Sequence, residues 1–128
     1  MIYLSRDEIV NAHDILLQKY GGSPGIRDEG LLKALVQKPQ ETVSGKETYP
    51  SLFDKAAVLC HSLLVDRPFA DGNRRTAFAA CHLMLLLNNW HLTLSPDETY
   101  RLLVGVLETR LDWPHISRQL NVSSKKPS

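Results

Sequence analysis

The sequence predicts an all-α protein, a compact bundle of about six helices. Three observations carry this. Side chains recur at helical spacing in one segment after another, as Ile9, Val10, His13, Leu16 and Leu17 do. Three segments open on a serine with an acid three residues later, Ser5 with Glu8, Ser51 with Asp54 and Ser95 with Glu98, the pattern of a capped helix start. The alternation that marks strands is weak throughout.

Residues 1–4 read as a short, strand-like arm. The first helix follows Ser5 and ends where Gly21, Gly22, Ser23, Pro24 and Gly25 make a loop. A second helix opens at Arg27 and Asp28, carries Leu31, Leu32, Leu35 and Val36, and stops before Pro39. Arg27 and Asp28 either cap that helix or pair with each other. Residues 40–50 are polar and aperiodic, a surface loop or short hairpin. The third helix carries Ala56, Ala57, Leu59, Cys60, Leu63 and Leu64 on its apolar side, and its His61 faces away from residues 67–75. The fourth helix, residues 74–89, is apolar almost all round and so is expected at the centre of the core. The fifth starts at Ser95 with Pro96 at its first position, and residues 113–120 form a short last helix. Trp90 and Trp113 close the ends of the bundle. His13, His61 and His82 read as packing or partner-contact residues. One domain is expected over residues 1–122, with residues 123–128 a frayed polar tail.

The composition narrows the function. With 128 residues, 43% hydrophobic, the chain supports one hydrophobic core. A net charge of +1 asks for neither nucleic acid nor an anionic membrane, and there is no basic stripe for DNA. The longest apolar stretch, residues 76–87, contains His82 and is too short to span a bilayer. Arg6, Asp7 and Glu8 come too early for a signal peptide, so a cytoplasmic protein is expected. Cys60 and Cys81 sit in apolar helices and read as buried thiols rather than a disulfide. The scattered histidines and the lack of a C-x-x-C exclude a zinc-type ligand set.

The chemistry-bearing segment is Arg67-Pro68-Phe69-Ala70-Asp71-Gly72-Asn73-Arg74-Arg75, at the start of the fourth helix. A helix start leaves N–H groups without internal partners and carries partial positive charge. Gly72 lets the backbone turn so that these groups converge on one anion. Arg75 can clamp phosphate oxygens through paired hydrogen bonds, and Asn73 adds a neutral donor. Asp71 supplies a hard oxygen of the kind Mg2+ takes when shared with substrate phosphates. Pro68 and Phe69 brace the turn, with Phe69 buried. Taken alone, the same residues also fit a common Asp-Gly-Asn turn beside a solvated, Arg-rich helix start.

The segment resembles the Fic/Doc signature His-x-Phe-x-Asp-Gly-Asn-x-Arg at every position but the first, where Arg67 stands for the His. The resemblance extends over residues 1–110. It includes Tyr3-Leu4-Ser5, His13-Asp14, Tyr20-Gly21-Gly22, Gly25-Ile26-Arg27-Asp28, Gly30-Leu31-Leu32, Pro39-Gln40 and Thr76-Ala77-Phe78-Ala79-Ala80. It implies a helical domain that binds ATP with Mg2+ and modifies a hydroxyl on a target protein. By this resemblance Asp71 is the metal-binding acid, and Gly72, Asn73 and Arg75 cradle phosphates. Arg74 matches a position that is Gly in the AMP-transferring enzymes and Lys in the Doc toxins, so a long cation here is similar to the Doc arrangement. That branch implies transfer of the γ-phosphoryl group to a threonine of elongation factor Tu, a block of translation, and a small Phd-like antitoxin as partner. Residues 40–50 match a flap that lays the target segment beside the site. Asp71, Asn73, Arg75 and position 67 form the implied catalytic set. The matching His is the general base, and an Arg, whose guanidinium stays protonated, cannot take that proton. The chain is therefore expected to be impaired. An AMP-transferring enzyme and a non-catalytic protein-binding module are the alternatives.

Overall fold

The computed structural model describes residues 1–126. Its helices are α1 (Arg6–Tyr20), α2 (Glu29–Gln37), α3 (Leu52–Asp66), α4 (Asn73–Leu87), α5 (Pro96–Thr109) and α6 (Trp113–Val122). The expected all-α class holds, with four two-residue strands added. Strands β1 (Thr42–Val43) and β2 (Lys46–Glu47) form an antiparallel hairpin, Thr42 opposite Glu47. Strands β3 (His91–Leu92) and β4 (Ser124–Lys125) pair antiparallel, His91 opposite Lys125.

Three helices start on the serines read from the sequence. Ser5, Ser51 and Ser95 each accept from the N–H three residues on, and the acid there folds back to the serine N–H. This reciprocal pairing satisfies donors that a helix start would otherwise leave open. Asp28 caps α2 by accepting from the Leu31 N–H. Pro39 does not stop the chain's winding. It sits in a short 3-10 turn, Lys38–Gln40, that continues from α2, because a first-turn proline needs no N–H.

Helix α3, not α4, is the centre of the core. It packs most extensively on α4 and α6 and also meets α2 and α5. Ala56, Ala57, Val58, Leu59, Cys60, Leu63 and Leu64 are all buried along it. Ala56 and Ala57 on α3 and Ala77 and Ala80 on α4 keep the contact layer thin, which lets two helices approach closely. Cys60 and Cys81 are both buried and free. Their mutual hydrogen bond, then burial, pushes the Cys81 thiol well above its ordinary range. Helix α4 is apolar nearly all round, yet only one face is covered. Leu83, Leu86 and Leu87 on its outer face are each 37% exposed.

Lys55 is a buried cation that hydropathy does not anticipate, at 1% exposure. Its ammonium donates to the Tyr49 carbonyl and, at 3.1 Å, to Glu47 Oε1. A buried charge persists only when its donors are satisfied. Here the satisfying groups come from the hairpin side, so Lys55 ties β2 to α3.

Both ends of the described residues are held. The backbone N–H of Ile2 donates to Asn88 Oδ1, and Asn88 Nδ2 donates to the Ile2 carbonyl. The expected frayed tail is corrected in part. Residues 121 and 122 lie beyond the expected end of the last helix and finish α6; within the tail the Ser123 carbonyl accepts from the Thr93 N–H and hydroxyl, and Ser124 and Lys125 pair with β3. Polar residues pair as readily as apolar ones when a backbone edge is within reach. The remainder of that predicted tail, residues 127 and 128, lies outside the described residues. Among the described residues no helix is long and apolar enough to cross a membrane.

Candidate active site

The signature segment joins α3 to α4. Helix α3 ends on Arg67 in the left-handed region, φ 52°. The open carbonyls at that end are capped by Arg27, whose Nε donates to the Arg67 carbonyl at 2.8 Å and Nη2 to the Asp66 carbonyl at 2.6 Å. Arg27 therefore caps α3, rather than α2 or Asp28, because the loop after α1 lies against the signature. The Arg27 and Asp28 N–H groups donate to the Pro68 carbonyl, and the Ala70 N–H to the Gly25 carbonyl. Ile26 and Phe69 form an isolated antiparallel bridge.

Phe69 is the anchor, 1% exposed and stacked on His13 with ring centroids 3.8 Å apart. The side chain of Asn73 closes the turn. Its Oδ1 accepts from the Phe69 N–H and its Nδ2 donates to the Phe69 carbonyl, both at 3.0 Å. Asn73 was expected to donate to an anion. Its amide is instead committed to the loop, because Phe69 is buried and its backbone groups need partners. Asn73→Ala strips a partner from two buried backbone groups, and a loss of roughly 3 kcal/mol is expected. A urea titration checks this; a change within about 0.5 kcal/mol, the range of an ordinary surface substitution, would contradict the assigned role.

Gly72 precedes α4 at φ 77° and offers no side-chain cap. The first N–H groups of α4 are thus left free to meet an anion. Asp71 stands at the mouth. Its Oδ2 accepts from the Ser23 N–H at 3.1 Å and its Oδ1 from the Gly72 N–H at 2.8 Å. These bonds, more than the charge of Arg75, hold its carboxyl below the ordinary range. The charged form is therefore favoured above the ordinary carboxylate value, and its contribution is lost only as pH falls through the lowered pKa. Gly22, at φ 128°, makes the approach of Ser23 possible, since a Cβ there would come within 2.9 Å of Asp71 Oδ2.

Arg67, Asp71, Gly72, Asn73, Arg74 and Arg75 line one cleft of about 400 Å³, with Leu64 and Leu107. The structure thus brings every sequence-predicted site residue together. Among the described residues none of the three guanidiniums pairs with a carboxylate. Arg75 lies over the Tyr20 ring, 4.5 Å from its centroid. Three unpaired cations around an open helix start favour an anion with several charged oxygens. The described residues hold no cluster of three or more His, Cys, Asp or Glu suited to a metal. A metal at this site would take Asp71 and otherwise ligand and water oxygens, which is how Mg2+ is commonly held.

Two cavities adjoin the cleft. One, about 360 Å³, is lined by Arg67, His61, Val65, Val106 and Leu111 among others. The sequence reading turned His61 away from the signature; the left-handed Arg67 bends the chain back so that both residues share this cavity. The other is a groove of about 870 Å³ between α1, α4 and α5. Ile15, Leu16, Phe78, Leu83 and Leu86 make it apolar, and Arg74 and Arg75 stand where it meets the cleft. His82 lies in it, and burial, then the nearby His91, lowers its pKa.

The sequence reading missed the supporting residues Ser23 and Tyr20 and gave His13 no role at the site. The paired glycines at 21 and 22 were the available signal, since a sharp turn there returns the chain toward its own helix.

Comparison with known proteins agrees with this geometry. A profile described as "Fic/DOC family" matches residues 3–85. A Mycolicibacterium smegmatis protein named "Toxin Doc" is 43% identical over 95 residues, covering 74% of this chain and 71% of that protein. "Protein kinase doc" of Escherichia phage P1 is 31% identical over 97 residues, 76% of each chain. A signature cleft at an uncapped helix start, within a helical bundle that matches this profile over most of its length, assigns the chain to the Fic/DOC family, in its Doc branch.

Proposed function

We propose that this chain is the toxin of a toxin–antitoxin pair, built as a protein kinase that moves the γ-phosphoryl group of ATP to a threonine of elongation factor Tu. The observation that carries the reading is the cleft itself: Asp71 and three unpaired guanidiniums around the open start of α4. The names of the two relatives, one a toxin and one a protein kinase, support the reaction class.

In this reading the free N–H groups of α4 and the Arg75 guanidinium take phosphate oxygens, and Arg74 fixes the orientation that presents the terminal phosphate. Asp71 would hold Mg2+, which would supply neutralisation of the phosphate charge. Phosphoryl transfer needs mostly such positioning and charge stabilisation. It also needs a group to accept the proton of the target hydroxyl. Arg67 occupies that place and has no basic lone pair at any working pH. The chain as it stands is therefore an impaired kinase that keeps its nucleotide site.

The groove beside the cleft suits the antitoxin. An amphipathic segment could cover Ile15, Phe78, Leu83 and Leu86 with its apolar side and set an acidic side chain against Arg74 or Arg75. Arg67 also favours a second reading, in which the fold survives as a non-catalytic binder of that partner.

Calorimetric titration with MgATP tests the site. Arg75→Ala is expected to weaken binding by about 10- to 100-fold, the worth of a charged hydrogen-bonding group. Equal affinity for parent and variant would remove the phosphate clamp and the kinase reading with it.

A further inference from the structure

His13 is a buried polar residue with no part in the phosphate and metal contacts just assigned. It is 1% exposed, on the inner face of α1. Its ring lies flat on Phe69, with 9° between the planes. Its Nε2 is 2.8 Å from the backbone carbonyl oxygen of Asp71, and its Nδ1 is 3.3 Å from Asp14 Oδ1. A carbonyl only accepts, so Nε2 carries a proton and donates it to the Asp71 oxygen. A Cβ on Gly72 would lie 3.6 Å from the same nitrogen. His13 therefore touches the single peptide unit that fixes both sides of the site. Rotation of the Asp71–Gly72 peptide would carry the Gly72 N–H away from Asp71 Oδ1 and so release the carboxylate from one of its two backbone donors.

A histidine that merely filled space would need only the stack on Phe69. A donor aimed at the one residue whose carboxylate faces the cleft does more. The rest of that loop is held through backbone bonds to residues 25–28 and through Asn73. The Asp71 carbonyl has no such backbone tie among them and rests on His13.

We propose that His13 is a positioning residue for the metal-binding acid: by donating Nε2–H to the Asp71 carbonyl it sets the orientation in which Asp71 can share a divalent cation with nucleotide phosphates. This rests on the nucleotide-site reading. It acts through Asp71 and does not touch the reacting atoms.

The test compares His13→Gln with His13→Asn on the full chain. A glutamine amide reaches about as far as Nε2 and can donate to the same carbonyl, whereas asparagine is one carbon shorter and cannot. ATP affinity is measured by calorimetry with Mg2+ and again with chelator, and Tm is recorded for each protein. Loss of a group that orients a metal ligand typically costs 10- to 100-fold in metal affinity, so His13→Asn should lose about 10-fold of the Mg2+-dependent affinity. Its affinity for metal-free ATP should stay within about 3-fold of the parent, because the Arg clamp and helix start remain. His13→Gln should recover the Mg2+ dependence whatever it does to Tm. Equal MgATP affinity in both variants and the parent overturns the proposal. So does an equal loss with and without metal, or a Gln variant no better than Asn at matched Tm. Asp71→Asn is the control for the underlying reading. If it keeps full Mg2+ dependence, Asp71 does not hold the metal and the nucleotide-site reading fails. If only the His13 pair shows no difference, the inference about His13 fails alone.

Discussion

Arg67→His is expected to turn on transfer of phosphate from γ-labelled ATP to purified elongation factor Tu, with the unaltered chain giving little or none. A positioned general base contributes about 10²- to 10⁴-fold, and the rest of the cleft is already assembled around Asp71, Arg74 and Arg75. The backbone will accept the change. Position 67 ends α3 at φ 52°, a region where histidine is found more often than most residues. The Arg27 bonds to the Asp66 and Arg67 carbonyls do not involve the side chain at 67. The substitution also removes one of three guanidiniums, so MgATP affinity should fall modestly while turnover rises. Opposite movements of binding and rate separate a restored base from improved substrate affinity. Label transferred from the α position instead would convert the assignment to nucleotidyl transfer. No label from either protein would leave the binding-module reading.

Phe69→Ala is expected to cost 3–5 kcal/mol, the usual range for deleting a buried aromatic ring, and the loss of its stack on His13 belongs within that figure. Against a typical domain stability of about 5–15 kcal/mol, this brings the protein near its folding threshold. Thermal and urea unfolding give the measurement. Phe78→Ala makes the comparison, because Phe78 is half-buried at the edge of the apolar groove and its loss should cost clearly less. If both substitutions cost the same, the signature turn is a surface loop and not part of the core. The size of the Phe69 effect bears on function because its backbone groups are held by Asn73, the first residue of α4. A cavity at Phe69 therefore loosens the helix start on which the cleft is built.

The helix starts were legible from the sequence because a capping box is a local device. Ser5, Ser51 and Ser95 need only a neighbour three residues away, and each does what its spacing says. The polar residues that line the cleft were legible for a similar reason, since residues 67–75 are contiguous and turn around Gly72, whereas Leu107 comes from α5. Their division of labour was not. Asn73 reads as a free donor until its amide is seen to pair with the Phe69 N–H and carbonyl, which assigns it to the loop.

By itself, the sequence determined the helical class and the helix starts, because each depends on short-range spacing, and its resemblance over residues 1–110 pointed to the family. Only the tertiary structure decided which helix is central, which face of α4 stays bare, and which residues hold the site. Lys55 is buried against Glu47 and the Tyr49 carbonyl; the tail expected to fray finds the edge of β3; His13, 58 residues from Asp71, holds its carbonyl. Such contacts arise from how elements distant along the chain pack, and the spacing of residues within any one element does not encode its neighbour.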